Sequence, residues 1–131
     1  MTARDFRPIR ALETMALVGI GGFAGSNLRY LIGQFWPALP ATLAVNTTGS
    51  FALGLVIYVA LRTDRLSMET RLLVSTGFLS SFTTYSTFAL LSVQSQPAWF
   101  VFNVLATYGL GFAGVIVGRA VAVRFEGRVS R

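Results

Sequence analysis

The chain has 131 residues, 53% of them hydrophobic and 12% charged, with eleven Arg and no Lys, His or Cys; mean hydropathy is +0.63. Soluble domains carry about 25% charged residues, so this composition excludes an ordinary water-soluble globule and points to a membrane protein. Without Cys or His there is no disulfide framework, thiol nucleophile, zinc site or imidazole base, which removes most enzyme chemistries. The net charge of +6 would suit nucleic acid only if the arginines gathered beside stacking aromatics.

Four apolar segments follow in chain order, at 12–34, 41–61, 72–93 and 98–123. Each reaches the roughly 20 residues that a helix rising about 1.5 Å per residue needs to cross a hydrocarbon core about 30 Å thick. The expected fold is an all-α membrane protein, a single four-helix domain over 1–131. Arg4, Arg7 and Arg10 before the first segment resemble a secretory signal, but the apolar run exceeds the roughly 7–15 residues of a signal core, so it is read as a helix that stays. Its Gly21, Gly22 and Gly25 favour close helix packing. Arg29, near its end, either snorkels to headgroups or holds anions at a pore mouth.

Pro37 and Pro40 mark the first connection and Pro97 the third, with Phe35, Trp36, Trp99 and Phe100 as interfacial rings. In the second segment Asn46 precedes Thr47, Thr48, Gly49 and Ser50. An amide in hydrocarbon must find partners, either across helices or in a permeating anion. The second connection, 62–71, is charged. The third segment, from Ser75 to Phe88, holds eight Ser or Thr. Hydroxyls can bond back to their own helix, but this density, with Gly77, predicts a break that turns carbonyls and hydroxyls toward a cavity or ion. In the fourth segment Gly114 and Gly118 suit packing, while Asn103 and Thr107 share one face, as a polar track or as interhelical glue.

Four spans put the termini and the second connection on one side of the membrane. That side holds Arg4, Arg7, Arg10, Arg62, Arg65, Arg71, Arg119, Arg124, Arg128 and Arg131, against Arg29 alone on the other. The positive-inside rule makes the termini cytoplasmic, in a cell inner (plasma) membrane. The basic charge therefore reports topology and lipid contact rather than nucleic acid. Asp5, Glu13, Asp64, Glu69 and Glu126 lie in termini, at a helix end or in the charged loop. No carboxylate is placed at the midplane, where a proton-coupled antiporter of this size needs one.

Three motifs in order, Gly21-Gly22-Phe23-Ala24-Gly25-Ser26-Asn27-Leu28-Arg29-Tyr30, Thr42-Leu43-Ala44-Val45-Asn46-Thr47-Thr48-Gly49-Ser50-Phe51, and Gly77-Phe78 through Thr83-Thr84-Tyr85-Ser86-Thr87-Phe88, closely resemble the CrcB/Fluc fluoride channel family. The resemblance implies an antiparallel (inverted) dimer of four-helix subunits, each with a broken third helix, and two fluoride pores along the interface. Pore residues would be Asn46, the rings of Tyr85 and Phe88, and the hydroxyls of Ser86 and Thr87. Arg29 would match the family arginine, and Asn103 and Thr107 would extend the polar track. It also implies a structural sodium ion between the broken helices, held by backbone carbonyls at positions matching Ser80 and Thr83. The residue chemistry agrees. Amide N–H, hydroxyl and aromatic edges can replace fluoride's water without a fixed charge that would trap it.

Three positions depart from the family pattern: Tyr85 where Phe is usual, Ser80 where Gly is usual, and Asn103 where Tyr is frequent. A homodimer built from both insertions needs nearly balanced loop charge, whereas ten arginines against one fix a single orientation. A homologous subunit of opposite orientation, giving a heterodimer, is the expected partner. The expected function is passive export of cytoplasmic fluoride, with no catalysis. The alternatives are a non-conducting or half-conducting partner subunit and a small four-helix secondary transporter.

Overall fold

A computed structural model describes residues 8–62 and 66–129. Arg4, Asp5, Arg7, Asp64, Arg65 and Arg131 lie outside the described residues. Among those described there is helix and no strand: α1 (Pro8–Phe35), α2 (Ala38–Arg62), α3 (Met68–Arg71), a π-helical stretch (Leu72–Leu79), α4 (Ser80–Phe82), α5 (Tyr85–Gln94) and α6 (Pro97–Val129). The segments from α3 to α5 form one interrupted column, so the architecture is four helices with the third broken.

The links are set by local chemistry. Trp36 and Pro37 join α1 to α2, and the Ala41 N–H donates to the Pro37 carbonyl at 3.0 Å, the first hydrogen bond of the new helix. Pro97 starts α6, where its missing N–H costs nothing. Ser67 caps α3 by accepting from the Thr70 N–H at 3.2 Å. Hydrogen bonds from Glu69's own backbone amide and from Ser67 hold the exposed Glu69 carboxyl below its ordinary range.

Glycines decide which columns touch. A Cβ at Gly21 would collide with the Leu73 carbonyl, and one at Gly25 with that of Phe78. Arg29, two turns on, reaches Ser81, so α1 and the third column run in parallel. Likewise a Cβ at Gly114 would sit 3.0 Å from the Thr47 carbonyl. Those at Gly54 and Gly118 would strike the carbonyls of Val115 and Phe51, pairing α2 and α6 in parallel. The packing role expected of Gly21, Gly25, Gly114 and Gly118 is thus observed; Gly22 faces Ser81, with Oγ 3.2 Å from a Cβ position. Since α1 turns back tightly into α2, the two pairs oppose one another. This places Arg10 and Arg71 at the same end as Arg62, Arg119 and Arg124, with Arg29 toward the other.

The core is sparse. Val45, Leu79, Phe82, Phe88 and Ala122 are buried, while Phe23, Leu105, Phe112 and Ile116 are largely exposed, as suits helices that face lipid. Two helices are long and apolar enough by themselves to cross a membrane: α2, and α6 over Pro97–Phe125. In α1 the polar Ser26, Asn27 and Arg29 dilute the apolar run, and the third column is cut in two, so neither reaches that standard alone. The π-helical stretch, rare in length for its type and frequently found at functional sites, leads directly into the cut.

Candidate functional site

The break lies at Thr83 and Thr84, both extended (φ −76°, ψ 160° and φ −147°, ψ 122°). Thr84 caps α5, its Oγ1 accepting from the Thr87 N–H at 3.2 Å. Its own peptide groups are met by Asn46 on α2. The Thr84 N–H donates to Asn46 Oδ1 at 2.8 Å, and Asn46 Nδ2 donates to the Thr84 carbonyl at 3.0 Å. One primary amide thus replaces the donor and the acceptor that a continuous helix would have supplied, which makes the break tenable in a setting where unpaired backbone groups cost several kcal/mol. The second Nδ2 hydrogen of Asn46 remains over.

Two carbonyls are released in consequence. The Thr84 N–H, directed to Asn46, does not reach the Ser80 carbonyl four residues back, and the Thr87 N–H, directed to Thr84 Oγ1, does not reach that of Thr83. Freed carbonyl oxygens are suitable donors for a hard cation. No group of three or more His, Cys, Asp or Glu that could hold a metal occurs among the described residues. The two released carbonyls belong to Ser80 and Thr83, the positions at which the resemblance implies a sodium ion. The Ser80 side chain is turned away, its hydroxyl donating to the Thr76 carbonyl.

Beside the break runs a groove of 480 Å³ between α2, α6 and the third column, lined by Asn46, Ser80, Thr83, Tyr85, Phe88 and Thr107 among others, with no charged side chain on its wall. Phe88 is buried at 6% exposure, whereas Tyr85 is 73% exposed; their ring centres are 5.7 Å apart, and Tyr108 meets Phe88 edge-on at 6.0 Å. A second cavity of 310 Å³ lies across the break, lined by Ser26, Arg29, Gln34, Thr42, Thr84 and Thr87. Arg29 Nε donates to the Ser81 carbonyl at 3.1 Å, capping the end of α4 while the rest of the guanidinium borders this cavity.

The sequence candidates therefore divide. Asn46, Tyr85, Phe88, Thr107, Ser80 and Thr83 share the groove; Arg29 and Thr87 lie on the second cavity; Ser86 and Asn103 line neither. The Ser86 hydroxyl pairs with that of Thr84 at 3.3 Å. Asn103, 1% exposed, donates from Nδ2 to Ser92 Oγ at 2.9 Å, and Ser92 donates to the Phe88 carbonyl at 2.8 Å. Of the two roles left open for Asn103, the structure shows interhelical bonding. It also receives a 3.4 Å bond from Thr107.

Residues 16–119 match the family model described as CrcB-like protein, Camphor Resistance (CrcB). The chain belongs to the CrcB family. A Haloarcula marismortui protein named fluoride-specific ion channel FluC 1 is 57% identical over 123 residues, covering 94% of this chain and 96% of its own length. A Halobacterium salinarum protein named fluoride-specific ion channel FluC 2 is 50% identical over 116 residues, 88% and 91% of the two chains. A Rhizobium etli protein named fluoride-specific ion channel FluC is 42% identical over 115 residues, 80% and 92%. This CrcB chain is accordingly a membrane protein and not an enzyme. In it, sequence reasoning passed over Thr84 as the residue that Asn46 grips, Ser92 as the partner of Asn103, and Tyr108. Ser92 and Asn103 stand at similar distances on either side of the Pro97 turn, so counting outward from that turn would have paired them.

Proposed function

We propose that this chain is one subunit of a fluoride-selective channel that passes fluoride passively out of the cytoplasm. The observation that carries the reading is the uncharged, hydroxyl- and aromatic-lined groove beside a helix break held open by Asn46, in a chain closely related to proteins named fluoride-specific ion channels. Fluoride is small and strongly hydrated, so it enters only where donors replace its water, and it leaves only if no fixed cation traps it. The remaining Asn46 N–H and the positive edges of the Phe88 and Tyr85 rings supply such contacts. No transported proton is required, and Glu13 and Glu69 are both exposed, near the start of α1 and in the second connection.

One face of the groove is open, and the reading closes it with a second subunit in the opposite orientation, the pair meeting where the third columns break. Sodium would be held there by the Ser80 and Thr83 carbonyls, as a structural rather than a transported ion. The arginine bias supports termini in the cytoplasm, residence in the plasma membrane, and a heterodimer with a homologous chain of opposite charge bias.

Fluoride efflux from liposomes containing the purified chain, followed with a fluoride electrode and with chloride as the control, tests the function. Fluoride should pass and chloride should not. Phe88→Ala, which removes a buried ring between Tyr85 and Tyr108, should lower the rate by about tenfold, because the positive ring edge offered to the anion and the ring contacts that hold the passage, about 0.5–1.5 kcal/mol each, are lost together. Equal passage of chloride and fluoride would refute selectivity. Passage only when a homologous chain is added would identify this chain as a partner subunit of a heterodimer.

A further inference from the structure

The two cavities beside the break belong to the site already described. A third, of 330 Å³, opens between α2 and α6 at the arginine-bearing end, where Leu53, Ile57, Leu61 and Val115 form apolar walls and Arg62 and Arg119 complete the lining. No carboxylate lines it. An apolar cleft closed by two cations has the polarity of an anionic amphiphile turned inside out.

The close pairing of α2 with α6 sets the two cations at one height. The Val115 carbonyl lies against Gly54, and the Leu55 nitrogen is 3.0 Å from where a Cβ on Gly118 would stand, so in these parallel helices Tyr58 and Arg119 come level. Arg62, one turn beyond Tyr58, is folded back over it, its guanidinium carbon 6.0 Å from the ring centre. Side chains on a helix lean toward its N-terminus, which in both helices is the direction of the membrane interior. Both guanidinium groups are thereby carried over the apolar cleft. Ser50 is the midpoint of Ala38–Arg62, and Tyr58 follows it by about 12 Å of helical rise, near the edge of a hydrocarbon core that ends about 15 Å from its centre. The cleft therefore sits where acyl chains meet headgroups. Arg119 is exposed and has no hydrogen-bond or ion-pair partner among the described residues, and a cation at this depth is costly until an anion meets it.

We infer that this cleft binds one anionic phospholipid, its phosphate held by Arg62 and Arg119 and the first part of one acyl chain laid between α2 and α6. The guanidinium fork matches phosphate oxygens two at a time, and basic pockets between membrane helices suit acidic headgroups. The apolar walls decide between a lipid and a free phosphate: an inorganic ion would leave Leu53, Ile57 and Val115 uncovered, whereas a chain covers them. Leu61, 73% exposed, and Ile57, 45% exposed, leave the side of the cleft open for a chain to enter. The site is independent of which ion the groove passes.

The purified full chain in detergent is titrated with dioleoyl phosphatidylglycerol, and bound lipid is counted by native mass spectrometry. Wild type should retain one phosphatidylglycerol per chain at concentrations where dioleoyl phosphatidylcholine, which has no net charge, is lost. An arginine near a lipid surface is worth about fivefold in affinity, so Arg119→Gln should weaken retention by about that factor, and Arg62→Gln together with Arg119→Gln by about twenty-fivefold. Arg71→Gln, at the same end but outside the cleft, should bind as wild type does, which separates a site from general attraction to basic charge. Arg119→Gln changes an exposed side chain, so its melting temperature without lipid should match wild type, and it keeps the test decisive should the double variant fold poorly. Sodium phosphate at millimolar concentration and matched ionic strength should not displace the lipid; displacement would identify a free-phosphate site and overturn the lipid. Equal retention of the two lipids by wild type, or equal weakening in Arg71→Gln and Arg119→Gln, would overturn the site itself.

Discussion

Asn46 shows how much one side chain can decide. Its amide offers an acceptor and two donors, and the Thr84 peptide takes one of each, at 2.8 and 3.0 Å. Asn46→Asp keeps the acceptor but sets a carboxylate oxygen against the Thr84 carbonyl and adds negative charge to the groove wall. At an effective dielectric of 20 and a separation of 4 Å the repulsion of an anion is about 4 kcal/mol, so fluoride efflux should fall by at least about a hundredfold. Melting in detergent should also come earlier, by about 1–3 kcal/mol of lost stability. An Asn46→Asp variant with wild-type efflux would remove this residue from the ion's route. The sequence identified Asn46 as an amide in need of partners without deciding between protein and ion, since Thr84 lies 38 positions away and the pairing exists only once the third column is cut beside α2. Asn103 and Thr107, four apart on one face, were legible as a pair; that the first turns into the Ser92 contact and only the second lines the groove follows from how α6 rotates against α5, which spacing within α6 does not fix.

At the scale of helices, length and hydropathy made the four columns legible, and the crowd of hydroxyls announced an interruption. Its place was not legible, because no Pro or Gly stands at Thr83–Thr84; the break is set by Asn46 and Arg29 reaching in from neighbouring helices to satisfy Thr84 and Ser81. The π-helical stretch before it was not legible either, since it depends on backbone register against α1 rather than on composition. That register rests on Gly21 and Gly25, where the α1 backbone meets the carbonyls of Leu73 and Phe78. Gly25→Ala must therefore push α1 away from the third column and withdraw Arg29 from Ser81, and should lower the yield of folded protein severely or shift its melting temperature by several degrees. Gly19→Ala, on the same helix with nothing within 4 Å of the new Cβ, should be neutral or slightly stabilising, because Ala exceeds Gly in helix propensity by about 1 kcal/mol. Thermal denaturation of the two in detergent gives the comparison directly, and equal melting temperatures would mean that the close approach is not what sets the pairing.

For the whole molecule, charge and packing point to one consequence. Parallel pairing of α1 with the third column and of α2 with α6 gathers Arg10, Arg62, Arg71, Arg119 and Arg124 at one end and leaves Arg29 toward the other, so the bias counted along the chain is also a bias in space. Arginines flanking spans resist translocation, and the chain should insert in one orientation. Because it contains no Cys, a single introduced thiol is a clean reporter. A membrane-impermeant maleimide applied to intact cells should label Gln96→Cys, in the exposed turn between α5 and α6, and should leave Thr70→Cys in the charged connection unlabelled until the membrane is opened. Comparable labelling at both positions in intact cells would show dual insertion and would remove the need for a second kind of subunit. Labelling at Gln96→Cys alone leaves a groove with one open wall and no copy of the same chain in the opposite orientation to close it, and a homologue with the reverse charge bias is then the subunit whose addition should restore fluoride efflux.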